Sequence, residues 1–154
     1  MTDDIVRQLT GLQRDVDGLI KPEVSRWQTW TPTVTQGVAV TVTVNYARYV
    51  VIGQTVVMMI RLSCTSAGTA GSVISIGGQG AIIQPTNTSG VTVIGSGIIN
   101  DTSAGTNYQG AIIAFGATDW RFIINLSTAY LGSNPALTLA SGDAISFVAS
   151  YERI

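Results

Sequence analysis

The side chains of this sequence that are best suited to hold a ligand are aromatic rings next to amide or carboxylate groups. Asn107 precedes Tyr108, Asp119 precedes Trp120, and Tyr130 stands shortly before a turn. Surfaces that bind sugars combine aromatic faces with polar groups in this way. The five residues therefore form a candidate saccharide site, against the alternative that their rings pack in a core or an interface.

Few residues are available for catalysis. The chain has no histidine, which excludes a Ser-His-Asp triad, a Cys-His pair and histidine-based zinc sites. Its one cysteine, Cys64, lies in an apolar segment, so we expect a buried and unreactive thiol. Two Gly-Xaa-Gly segments, 78–80 and 95–97, precede neither a helical pattern nor a P-loop lysine and predict kinks in strands. No cofactor is expected.

After residue 30 the chain has only four carboxylates, Asp101, Asp119, Asp143 and Glu152. A glycosidase needs two carboxyl groups that face each other across a cleft, so Asp101 and Asp119 are the pair to test for a glycan depolymerase. For Asp143, in a Ser-Gly-Asp turn, and for Glu152 we expect turn and solvent roles. No acidic residues recur at alternate positions as in a calcium loop. The sequence therefore predicts neither an enzyme nor a metal site.

Two-residue alternation predicts the sheet that would position these side chains. From Val38 to Val44 every second residue is a valine, and similar alternation runs through 120–126 and 145–151. Further strands are predicted at 46–52, 73–76, 91–99 and 108–115. About eight to ten short strands at this spacing predict an antiparallel β-sandwich or jelly roll, which we assign to a head domain over residues 25–154.

One predicted strand differs from the others. Val56 to Ile60 is apolar at every position, which is typical of a strand that is covered on both faces. The second face is covered either by a neighbouring subunit or by other parts of the same chain, and the sequence leaves both open.

A seven-residue apolar repeat precedes the sheet. Its seam residues are spaced 4, 3, 4 and 3 positions apart: Ile5, Leu9, Leu12, Val16 and Leu19. This period predicts a coiled-coil stalk within residues 1–24, with its helix ended by Pro22. An isolated helix of this length is marginal in water and needs partners. The alternative is one amphipathic helix lying on its own sheet, and the seam leaves two, three or four strands open.

At Trp27 to Thr33 the spacing of apolar residues changes from the seven-residue repeat to two-residue alternation. Charged residues also become rarer after this junction. We expect Trp27 and Trp30 to close the base of the sandwich.

Charged residues are 11% of the chain, against about 25% in an average soluble domain, and more than half of them precede Trp27. With a net charge of −1 and no basic cluster, neither nucleic acid nor an anionic membrane is an expected partner. The sequence shows no secretory signal and no apolar stretch long enough for membrane insertion.

Several segments follow one another in a suggestive order. They are Trp30 to Thr33, Ala47 to Val56, the glycine-rich turn from Ala67 to Gly71, and Ser141-Gly142-Asp143 followed by Phe147 and Tyr151. Across about residues 27–151 this order resembles the β domains of tailed-bacteriophage virion proteins of the tail-fibre, minor tail and receptor-binding type. Gly77 to Gly80 departs from the pattern, because relatives often carry a Leu-Pro pair there.

The resemblance implies a homotrimer whose amino-terminal coil binds other virion proteins and whose β-sandwich head faces the host. The expected function is attachment to the host cell surface, with a host glycan as the candidate ligand and the virion as the location. The alternative is a virion component without a receptor role, such as a capsid fibre, a decoration protein or a tail-tip building block. A cellular jelly-roll ligand is disfavoured by the missing export signal. The resemblance supplies no binding residues.

Overall fold

Most of the chain after the junction forms β-structure. The computed structural model describes Val6 and residues 26–78, 80, 85, 92–116, 119–124 and 129–153. The seam of the predicted stalk lies outside the described residues, so the coiled coil stays a prediction. The part of the chain that is described belongs almost entirely to the predicted head domain.

Ten strands are present among the described residues, and they form one antiparallel sheet in the order β1-β4-β5-β10-β7-β8-β9-β6-β2-β3. This confirms the predicted all-β antiparallel class. The strands are β1 Gln28–Thr29, β2 Thr33–Gln36, β3 Val38–Val40, β4 Val42–Ile52, β5 Thr55–Cys64, β6 Ser75–Gly77, β7 Thr92–Asp101, β8 Thr106–Gly116, β9 Asp119–Ile123 and β10 Ala144–Glu152.

The sheet curls because β3 and β4, which follow each other directly in sequence, lie near opposite ends of the strand order. β3 pairs with β2 at one end of the order, and β4, which begins after the single residue Thr41, pairs with β1 and β5 at the other. The carbonyl of Thr41 accepts hydrogen bonds from the backbone N–H and the hydroxyl of Thr65, which directly follows β5. The inner faces of the two halves therefore enclose a single hydrophobic core.

The valine alternation from Val38 to Val44 does not form one half-buried strand, and this prediction was wrong. The run is divided at Thr41, and Val38 and Val44 are exposed at its two ends while Val40 is buried. A β-bulge between Val44 and Tyr46 shifts the register against β5 by one residue. Because one extra residue reverses the side-chain parity, the core-facing positions change from even numbers before the bulge, as at Val42, to odd numbers after it, as at Ala47.

The centre of the core is Trp120 of β9, which is fully buried. Its ring meets the rings of Phe147 and Tyr151 of β10 edge to face, with centroids 5.9 and 5.7 Å apart. Aromatic pairs favour this geometry because the positive edge of one ring lies against the negative face of the other. β9 and β10 lie in different halves of the curled sheet, so these contacts hold the halves together.

A buried amide organises the loops at one end of the sheet. Gln36, at the end of β2, is fully buried and donates from Nε2 to the carbonyls of Ser72 and Leu137, at 3.1 and 2.5 Å. Its Oε1 accepts from the N–H of Leu139 at 2.8 Å. Gly68 packs directly on this amide, and a Cβ at that position would overlap Gln36 Oε1. One side chain therefore joins loops that are far apart in sequence.

Candidate functional site

The five predicted saccharide-binding residues do not form one site. Gly116 of β8 pairs with Asp119, whereas Asn107 lies nine positions earlier on the same strand. At about 3.3 Å per residue, the two groups are about 30 Å apart. Asn107 and Tyr108 therefore lie at one end of β8, and Asp119, Trp120 and Tyr130 lie near the other.

Trp120 cannot offer a ring face to a ligand, because its side chain is completely buried. Its neighbours explain why: Trp120 shares side-chain parity with Phe122 and Ile124, and all three point into the core. The alternative of core packing is therefore correct for Trp120. Tyr108 is half-buried and packs against the same core. Asn107 is exposed and accepts a hydrogen bond from Asn100 of β7 at 2.7 Å.

Asp119 and Tyr130 belong to a cluster around Arg121 that the sequence analysis missed. The guanidinium donates from Nε and Nη2 to Asp119 Oδ2, at 2.9 and 2.6 Å. Its Cζ lies 3.5 Å from the ring centroid of Phe115 and 4.8 Å from that of Tyr130. The carboxylate neutralises the cation and the two rings cover it. This arrangement stabilises the end of β8 and β9 and leaves little of Arg121 for a ligand.

The remaining carboxylates hold turns. Oδ1 of Asp101 accepts from the N–H of Ala104 and from the hydroxyl of Ser103, and these bonds lower the pKa of the Asp101 carboxyl although burial opposes them. Asp143 is fully buried, and its two oxygens accept from the backbone N–H groups of Thr102 and Ala140. The predicted turn role of Asp143 is confirmed.

Asp101 and Asp119 do not form a catalytic pair. Asp101 pairs with Thr106 at one end of β8, whereas Asp119 pairs with Gly116 at the other end. The carboxyl groups of a glycosidase lie within about 10 Å of each other. A depolymerase site built on these two residues is therefore excluded.

The described residues contain no cluster of three or more acidic or cysteine side chains that could hold a metal ion. They also contain no helix with the length and apolar character to cross a membrane.

The two junction tryptophans have different environments. Trp30 packs against the core, and its backbone N–H donates to the carbonyl of Ala47. Trp27 is 46% exposed, so the prediction that it closes the base of the fold was wrong. The reason is strand parity: Gln28 of β1 lies on the same side of the sheet as Tyr49, whose hydroxyl donates to Gln28 Oε1 at 2.8 Å, so the neighbouring Trp27 points to the opposite side.

The most unusual surface is the outer face of β10, β7 and β8, which we call the uncharged face. Its centre is formed by Ile98, Val148, Ser96 and Ser146. Val148 and Ile98 are exposed, and the three strands carry only two charged residues, Asp101 and Glu152, both at strand ends. An exposed apolar area without charge is typical of a contact surface.

The uncharged face has an alternating relief. Val148 pairs with Ser96, and Ser146 pairs with Ile98, so each large side chain stands opposite a small one on the neighbouring strand. A groove of about 330 Å³ lies between them, and Gln109 of β8 borders it. Ridges and hollows of this kind let a second surface interdigitate with the first.

Strand β5, in which Val56 to Ile60 is apolar at every position, continues this surface toward β4. Its even-numbered residues, including Val56, Met58 and Ile60, are completely buried, whereas Val57 and Met59 on the outer side are half-buried. Met59 lies opposite Val148 of β10. Neighbouring side chains thus cover the outer side only in part, and both alternatives for its cover stay open.

Comparison with known proteins gives no further guide to this surface. No protein-family model matches the chain, and neither a curated protein nor a solved structure matches it.

Proposed function

We propose that this chain is a structural protein of a tailed-phage particle, a homotrimer that attaches the phage to its host. The observation that carries the proposal is the uncharged face, with its exposed Ile98 and Val148. The order of sequence segments that resembles phage virion proteins supplies the biological context.

The uncharged face is best occupied by a second copy of the same chain. A surface of alternating large and small side chains fits a partner of the same kind, and burial of valine and isoleucine stabilises the contact by about 25 cal/mol per Å² of apolar area. The heptad seam that ends at Leu19 gives the chain an independent reason to associate with itself. Stalk and head would then be held together around one axis.

The finer architecture follows from this assembly. The curled sheet would be a jelly-roll-like sandwich, with the uncharged faces of three heads turned toward the axis of the coil. The stalk would bind other virion proteins, and three identical heads would gain avidity for a repeated host-surface ligand.

Two observations favour a second function, a virion component without a receptor role. The burial of Trp120 and the separation of Asn107 from Asp119 remove the saccharide site predicted from the sequence. A capsid fibre, a decoration protein or a tail-tip building block needs the same self-association but no ligand.

Labelling of assembled particles distinguishes the two functions. A gold-labelled antibody against residues 26–153 should bind at the distal end of the tail if the chain is an attachment protein. Labelling over the capsid would favour the second function. Absence of the chain from purified particles would contradict both.

Substitution of Val148 tests the interface itself. Val148→Asp places a charge where an apolar contact is proposed, and we expect it to weaken self-association at least about tenfold. Val38→Asp is the matched control, because Val38 is 52% exposed against 51% for Val148 but lies on β3, outside the uncharged face. Equal effects of the two substitutions would contradict the proposed interface.

A further inference from the structure

Two arginines and two aromatic rings form a second surface, at the border of the uncharged face. We call it the arginine patch and define it as Trp27, Tyr46, Arg48 and Arg61. Thr29 of β1 pairs with Arg48 of β4, and Tyr46 of β4 pairs with Arg61 of β5. All four residues of the patch are exposed.

Arg48 is held in place by its neighbours. Its Cζ lies 5.3 Å from the ring centroid of Trp27 and 5.6 Å from that of Tyr46, both within cation–π range. Its Nε donates to Sδ of Met59 at 3.3 Å. These contacts fix the stem and the plane of the guanidinium, so little conformational freedom would be lost when Arg48 binds a ligand.

The comparison with Arg121 shows what the patch lacks. Both arginines lie against two aromatic rings, but Arg121 is neutralised by Asp119. No described carboxylate lies within ion-pair distance of Arg48 or Arg61. The residues opposite them are Thr29, Met59, Tyr46 and Ser146, none of which carries a negative charge. The patch therefore offers two cations for an anion supplied from outside.

We propose that the arginine patch binds an acidic saccharide, with the guanidinium of Arg48 contacting a carboxylate or phosphate group. A guanidinium donates parallel hydrogen bonds to such groups. Sugar rings stack on exposed aromatic rings, which the patch provides at Trp27 and Tyr46. Arg61 lies diagonally across from Arg48 and adds positive charge within reach of the same ligand.

Single-stranded nucleic acid combines anionic groups with stacking rings as well, but it is the weaker candidate. Its binding normally uses a basic groove that follows the backbone over several nucleotides. This chain has a net charge of −1, and its head domain over residues 25–154 carries only five arginines and no lysine. A small acidic saccharide needs no more than one such patch.

Binding by the arginine patch would give the proposed attachment protein its class of ligand. It rests on the proposed function only for the place where that ligand is met, the host cell surface. Binding is tested on the full chain with tetragalacturonate, with its methyl ester as the neutral counterpart, and with a phosphorylated oligosaccharide of the same length. Titration calorimetry measures affinity, and the indole N–H signal of Trp27 in NMR reports its location. We expect binding of at least one acidic probe, a shift of the Trp27 signal and no binding of the ester.

Substitutions then assign the roles. Arg48→Met keeps the length of the side chain and should weaken binding about tenfold or more, because a charge-assisted pair is lost. Arg48→Lys keeps the charge but not the planar fork and should recover only part of the affinity. Arg14→Met removes the same charge elsewhere in the chain and should change nothing. Thermal unfolding of each variant shows whether the fold is kept.

Several results would overturn the inference. These are equal affinity for acid and ester, unchanged affinity in Arg48→Met, no binding of either acidic probe at millimolar concentration, or tighter binding of an oligothymidylate that displaces the saccharide. None of these results tests the trimer, which is tested separately by the mass of the chain in solution and by particle labelling. Conversely, acid-specific binding by a monomeric chain would support the patch and contradict the proposed assembly.

Discussion

The ring of Trp30 meets the ring of Trp120 edge to face, with 6.1 Å between their centroids. This contact joins the residue that follows β1 to the centre of the core, because Trp120 also contacts two rings of β10. Among the described residues, packing against the core therefore begins at Trp30, and Trp27 remains on the surface.

Tryptophan substitutions should separate core from surface. Trp120→Ala should lower the free energy of unfolding by about 3–5 kcal/mol, because it leaves a large cavity among aromatic rings. Trp27→Ala is the control and should cost less than about 1 kcal/mol, since it removes an exposed cation–π contact. Urea unfolding followed by far-UV circular dichroism measures both. Similar losses in the two variants would contradict the assigned environments.

Gln36→Met should destabilise the head although it keeps the side-chain volume. It leaves the carbonyls of Ser72 and Leu137 and the N–H of Leu139 without their partner, and each buried unpaired group costs about 1–3 kcal/mol. Gln54→Met, in the exposed turn between β4 and β5, is the matched control. The same urea experiment should show a clear loss only for Gln36→Met, and equal midpoints would show that the amide does not join the loops.

Asp101 should contribute to stability in a pH-dependent way. Hydrogen bonds from Ala104 and Ser103 lower the pKa of the folded carboxyl below its unfolded value near 3.8. Its contribution is therefore present above the unfolded pKa and is lost as pH falls through the folded pKa. Asp101→Asn keeps the acceptor oxygen but not the charge.

Thermal unfolding measured between neutral pH and pH 2 checks this expectation. The wild type should lose more stability over the acidic part of the range than Asp101→Asn does. Glu152→Gln removes a charge at the end of β10 and serves as the control. Parallel curves for wild type and Asp101→Asn would contradict the assignment.

Cys64 should be unreactive while the protein is folded. Burial raises the pKa of its thiol to about 11, and the nearby carboxylate of Asp143 adds to the rise. At pH 8 only about one thiol in a thousand would be ionised, and thiolate is the reactive form. Ellman's reagent should therefore detect one thiol per chain in urea and react at least about a hundredfold more slowly without it. Rapid labelling of the native protein would show that the β5 end is open.

Local pattern predicted much of the sheet. The strands expected at 46–52, 91–99, 108–115 and 145–151 correspond to β4, β7, β8 and β10, because alternation and intervening turns are local properties. The reversal of parity near Asn45 was not predicted, since a bulge depends on the pairing of β4 with β5.

The composition of the candidate sites depends more on which strands pair, and in which register, than on the local spacing of residues. The alternation of Trp120 with Phe122 and Ile124 indicates an inward ring, and the polar neighbour Asp119 does not change that orientation. Tyr46 and Arg48 are two residues apart, which indicates a shared face. Their approach to Trp27 and Arg61 follows from strand register, which local spacing does not specify.

The measurement that tests the central claim most directly is the mass of the intact chain in solution by multi-angle light scattering. At micromolar concentration the proposed assembly predicts three times the 16.1 kDa of one chain, and deletion of residues 1–24 should weaken the trimer more than it perturbs the β-fold. A monomeric mass for the intact chain at that concentration would contradict the account.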